Sequence, residues 1–269
     1  MRLGTLAAFP IAGALAVAAL SRVLGGDESY WLWSQVALHG LGFAGAVAAA
    51  AVLDRRDWMF RAWALYAAAF GLQAAWRVLT GPETDPTIAA PQPVIGLAYL
   101  VLLNLLAVAG STLFALAFSR AGLTLGGSRR RAGAELAAVV GIALLLGVPA
   151  LSVSIRDAAG TSDVARALAW VLGDVLCFAL VAPLWRISRA FSGGALAWPW
   201  GFLAVANLGY LAYDAALVIL GDAGLMGPAS GLRLLAETLY AASSLAAVSA
   251  ALAHRQAVAA TRASLSRAA

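Results

Sequence analysis

Apolar residues run along this chain in stretches of about 20, broken by short polar connections and without strict alternation of apolar and polar positions. A run of that length crosses a hydrocarbon core of about 30 Å as a helix. The missing period of two argues against a membrane barrel of strands. The pattern predicts eight spans, over residues 4–24, 30–53, 58–80, 94–119, 132–154, 164–186, 198–220 and 232–254. Arg2 precedes the first run as in a signal peptide, but the run is long and has no clear cleavage site, so it reads as a span. The expected fold is all-α: a polytopic membrane protein of about eight transmembrane helices. It forms one domain over residues 1–254, followed by a short basic tail over 255–269.

The charged residues give this bundle a direction. One set of connections carries Arg55 and Arg56, Arg120 with Arg129, Arg130 and Arg131, and Arg186 with Arg189; Arg255, Arg262 and Arg267 follow the last span. The alternate set carries Asp27 and Glu28, Glu83 and Asp85, Arg156 with Asp157 and Asp163, and Asp222. By the positive-inside rule the arginine-rich set is cytoplasmic, and both termini with it.

Composition agrees with a membrane protein. Hydrophobic residues make up 62% and charged residues 12%, about half the charge of a soluble domain. Every basic residue is arginine, so a retinal Schiff base, which needs lysine, is excluded. The Ala- and Arg-rich usage suggests a GC-rich bacterial genome, and hence an inner membrane. Cys177 is the single cysteine, so no internal disulfide forms. Two histidines and one cysteine are too few and too scattered for a closed structural zinc site. The net charge of +5 reads as topology charge and points to no nucleic acid.

Polar residues within the spans are concentrated in their outer halves. Asp174 lies roughly 14 Å from the outer end of its span at the rise of an α-helix, with His39 and Asn104 at similar depth. Asp214 lies beside Tyr210 and Tyr213, Glu237 is about a turn and a half into the last span, and Arg77 sits near Gln73 and Trp76. An ionisable group in the bilayer costs at least about 2.5 kcal/mol, so these side chains are expected to face a cavity or each other. The candidate ligand-binding residues are Asp174, Asp214, Glu237, Arg77, His39, Tyr210, Tyr213 and Trp76. Arg77 is the natural counter-ion of Asp214.

A shift of about 137 positions lays Trp33 on Trp170, Trp63 on Trp200 and Arg77 on Asp214, which suggests two parallel four-helix repeats. Trp31, Trp33, Trp58, Trp63, Trp198 and Trp200 lie near span ends and read as interfacial belt residues. The small residues of HGLGFAGAVAAAA predict close helix packing. No GxSxG, HExxH or Ser–His arrangement occurs, so an enzyme is not expected. The sequence leaves the cofactor unknown.

The segment AWVLGDVLCFALVAPLWRI, with Trp170, Gly173, Asp174 and Pro183, resembles the W..GD......P pattern of membrane-associated sensor modules of bacterial histidine kinases and diguanylate cyclases. LDRRDWMFRAWALYAAAFGLQAAW is similar to their arginine-rich turn and aromatic-led span. NLGYLAYDAAL, with Asp214, is similar to their late aspartate. The resemblance implies a sensor-like membrane module with an outward-facing pocket for a small molecule or lipid. No output domain follows Ala269 in this sequence, so a protein partner at the cytoplasmic C-terminus, or a missing output domain, is expected to carry the signal. The alternatives are an accessory subunit of a larger membrane complex and a small solute transporter.

Overall fold

The computed structural model describes residues 3–81, 93–120, 129–190, 197–227 and 230–268. Among them are nine helical segments: α1 Leu3–Leu24, α2 Glu28–Ala50, α3 Trp58–Thr80, α4 Pro93–Arg120, α5 Arg129–Arg156, α6 Thr161–Ala179, α7 Val181–Ala190, α8 Ala197–Asp222 and α9 Gly231–Ala268. Leu180 alone separates α6 from α7, so the segments make eight rods, and no strand occurs among the described residues. The break at Leu180 was not expected. Its cause is Pro183, which lacks the N–H needed to continue the α6 ladder.

Seven rods are long and apolar enough to cross a membrane: α1, α2, α4, α5, the α6–α7 pair, α8 and α9. The chain is an all-α multi-pass membrane protein. The rod predicted over 58–80 forms, but α3 falls short of the others in apolar character because Arg61, Gln73 and Arg77 share it with three tryptophans. Glu83 and Asp85 lie outside the described residues.

Six helices close a ring in the order α2, α3, α4, α6, α8, α9 and back to α2. The remaining two long helices are outriggers. α1 packs on α9 and barely touches α2, whereas α5 packs on α6 and α8. The ring order repeats as the shift of about 137 requires, with α2–α3–α4 followed by α6–α8–α9; the outriggers do not follow it. One repeat pair, Trp63 and Trp200, is buried on both sides of the repeat, each at 1% exposure. The other pair differs, since Trp33 is 57% exposed and Trp170 is buried.

The tryptophan belt is corrected by these positions. Trp31, Trp63 and Trp200 are core residues, while Trp33 and Trp198 remain exposed. Helix-end placement puts a tryptophan near the interface in depth, but the ring turns some of these side chains inward. The indole Nε1 of Trp63 donates to His254 Nδ1 at 2.6 Å. Trp63 and Trp200 both sit edge-on to Phe114.

Close helix approach is made by small residues. A Cβ on Gly209 of α8 would collide with the Ser243 side chain of α9, so only glycine admits this seam. α9 then runs on without interruption to Ala268, a length of 38 residues, about 57 Å at the helical rise. The expected basic tail is therefore helical over its described residues. At the arginine-rich end, Glu135 of α5 ties back Arg186 and Arg189 from α7, at 3.1 and 3.5 Å.

Candidate ligand cavity

The ring encloses a partly open cavity of about 150 Å³. Its wall comes from all six ring helices and from neither outrigger. It lies toward the end where α2, α4 and α9 begin and α3 and α8 finish, the end opposite the arginine-rich connections.

Each helix contributes one stripe. α3 presents Tyr66, Phe70, Gln73 and Arg77, at spacings of four, three and four residues. α6 presents Trp170, Asp174 and Cys177, and α8 presents Leu203, Asn207, Tyr210 and Asp214. Such spacings place side chains on one face of a helix. α2 adds His39, α4 adds Tyr99 and Asn104, and α9 adds Tyr240.

The position of Asp174 follows from the glycine before it. A Cβ on Gly173 would overlap the Asn104 side chain, so α4 presses against α6 there. Asn104 Nδ2 donates to the Ala169 carbonyl at 2.8 Å and locks the contact. One residue on, about 100° around the helix, Asp174 turns into the cavity. Asp214 from α8 lines the same wall, and the two carboxyl groups interact. Two carboxyl groups sharing one low-dielectric site favour a single proton between them over two like charges. Asp174 Oδ2 has no hydrogen-bond partner among the described residues.

Five of the six tyrosines converge on this cavity: Tyr66, Tyr99, Tyr210, Tyr213 and Tyr240. Four have hydroxyls tied into the surrounding packing. Tyr66 pairs with Ser111 Oγ at 2.8 Å, Tyr210 donates to Ser244 Oγ at 2.9 Å, and Tyr240 pairs with His39 Nε2 at 2.5 Å. Tyr213 donates to Glu237 Oε1 at 3.2 Å. The cavity is thus walled by aromatic rings whose polar tips are already engaged.

Of the eight residues singled out in the sequence, six line the cavity: Asp174, Asp214, Arg77, His39, Tyr210 and Tyr213. Glu237 is buried behind the wall, where it accepts from Tyr213 and from Gln35 Nε2 at 3.4 Å. Trp76 stands behind Tyr99, with rings stacked 4.3 Å apart. Sequence reasoning missed Tyr66, Tyr99 and Tyr240. The stripe from Tyr66 to Arg77 was a signal that could have found the first of them. Trp170 was singled out in the repeat and in the sensor-like pattern but not as a binding residue; it lines the cavity, and its Nε1 is buried without a partner among the described residues.

Among the described residues, no cluster of three or more His, Cys, Asp or Glu side chains is arranged to hold a metal ion. No protein-family model, curated protein or solved structure matches the chain.

Proposed function

We propose that this chain is a sensor-like, small-molecule-binding module of a bacterial inner membrane. Both termini are cytoplasmic, and the cavity lies in the outer half of the bilayer. The observation that supports the reading most is the cavity inside the closed ring, with Asp174, Asp214 and Arg77 on a largely apolar wall and Asp174 Oδ2 buried without a partner among the described residues. Buried polar atoms in a dry core are almost always satisfied. Asp174 lines the cavity while its Oδ2 is buried without a partner among the described residues, so a guest or ordered water that parts the carboxyl pair would complete it.

The route for a signal is α9. It lines the cavity through Tyr240 and continues as one helix past His254 into the basic tail. A guest that shifts α9 at the cavity displaces the tail, and a protein partner there reads the displacement. The test is native mass spectrometry of the full chain extracted from its own membrane into lipid nanodiscs. A retained small molecule that is lost on Ala247→Leu, which fills the cavity, is expected. A ligand-free mass, together with a density map showing the cavity closed, would sink the reading.

One observation favours a second reading. A polar cavity within a ring whose helix order repeats is also the layout of a small transporter. Flux of a solute into liposomes carrying the pure chain would select it.

A further inference from the structure

We infer that the cavity takes a small organic monocation, a protonated amine about the size of a single aromatic ring, which replaces the proton shared by Asp174 and Asp214. The inference rests on the ligand-binding reading above and names the ligand class of the same site.

Three observations converge. The first is the charge of the wall. Asp174, Asp214 and Arg77 give the wall a formal charge of −1, which either a proton on the carboxyl pair or a monocation beside it brings to zero. A net charge within the bilayer is costly. Replacing the proton by a monocation leaves the wall and its guest neutral together. An anion would leave an uncompensated negative charge.

The second is the orphaned acceptor. Asp174 Oδ2 has no partner among the described residues, and an ammonium group brings three donors. The third is the character of the remaining wall. Four tyrosine hydroxyls are committed to Ser111, Ser244, Glu237 and His39. What those residues offer a guest is ring surface, which attracts a cation. The volume of about 150 Å³ suits one ring, by comparison with cavities of that size that accept benzene.

The step balances. The ammonium takes the place of the shared proton between the two carboxylates, and that proton leaves to solvent. Besides the tyrosines, the titratable or charged groups facing the pair are His39 on α2, Arg77 on α3 and Cys177 on α6. Asp174 and Asp214 are the only carboxyl groups on the described cavity wall.

The test uses the full chain in nanodiscs and three probes that share one ring: benzylammonium, benzyl alcohol and benzoate. Isothermal titration is expected to show benzylammonium binding at one site, at least tenfold tighter than either other probe. Its heat should differ between phosphate and Tris buffer by the amount that about one released proton gives. Asp174→Asn should weaken benzylammonium at least tenfold. If that variant does not fold, the three-probe comparison on the unaltered chain decides alone. Benzoate or benzyl alcohol binding as tightly as benzylammonium would overturn the cation class and leave the ligand-binding reading standing. Benzylammonium binding without proton release would overturn the exchange. Binding of none of the three overturns the proposal. If the unaltered chain also retains no native ligand, the ligand-binding reading falls with it.

Discussion

The two ends of the ring use the same residue types to opposite effect. At the arginine-rich end, His254 is buried with Trp63 bonded to its Nδ1, and the rings of Trp63, Trp200 and Phe114 fill the space around it. At the other end, His39 is just as buried and is bonded to Tyr240, but the neighbouring rings stand around a void. A lone histidine in an apolar helix therefore says little by itself. The informative difference is whether aromatic neighbours meet in the middle. Where they do, polar groups are packed in; where they do not, they line a cavity.

Substitutions can break that contrast, and the largest effect belongs at the packed end. Trp200→Ala removes a fully buried ring from contact with Phe114, Phe118 and His254. It should cost about 3–5 kcal/mol, read as lost helicity at lower SDS mole fraction in detergent. A sharper comparison uses two alanines of α9 one turn apart. Both are buried in the packed cluster, but Ala247 also borders the cavity, whereas Ala250 does not line it. Ala250→Leu should destabilise by about 1–3 kcal/mol through overpacking, and Ala247→Leu by less, because part of the added side chain can enter the cavity. Equal losses in the same unfolding assay would mean that the cavity is already filled by protein.

Smaller changes test the tied-back hydroxyls. Tyr66→Phe deletes the bond to Ser111 without changing the ring, so it should cost about 1 kcal/mol of stability. It should leave benzylammonium binding within twofold, and a larger loss of binding would show that the hydroxyl faces the guest. The smallest effect lies outside the membrane. The Arg156 guanidinium beside Asp157 holds its carboxyl below the usual carboxylate range. A group so depressed stabilises the fold above its unfolded value of about 4 and loses that contribution as pH falls through the lower folded value. Thermal melts from neutral pH down to about 3 should therefore show Asp157→Asn removing a slight acid sensitivity. Both side chains are largely exposed, so no shift is expected at neutral pH.

Much of the bundle was legible because apolar run length dictates where a helix can span. The rod over 58–80 matches in both ends, and most other ends agree within about three residues. The break at Leu180 escaped because Pro183, three residues before the predicted span end at 186, acts on the backbone several residues earlier. The cavity was legible in depth only. Counting residues put Asp174, Asp214, Arg77 and His39 in one half of the membrane, and they do share a wall. Depth cannot say which helices are neighbours. Tyr240 and Tyr99 became wall residues only once α9 and α4 were seen to close the ring. The same limit explains Trp63 and Trp200, which read as interfacial belt residues and are buried in the core. Glu237 was expected on the cavity, but rotation of α9 puts it behind Tyr213.

α3 carries a consequence for how the protein is made. It supplies Arg77 and the Tyr66 stripe, and it is the ring helix too polar to meet the apolar standard of a span. A segment less apolar than its neighbours enters more readily beside a more apolar one. α2 precedes α3 in the chain and packs on it, through contacts such as Phe70 against Gly42. Joint entry as an α2–α3 hairpin is the expected order. The residues that make the cavity polar are thus the ones that make the order of membrane entry matter.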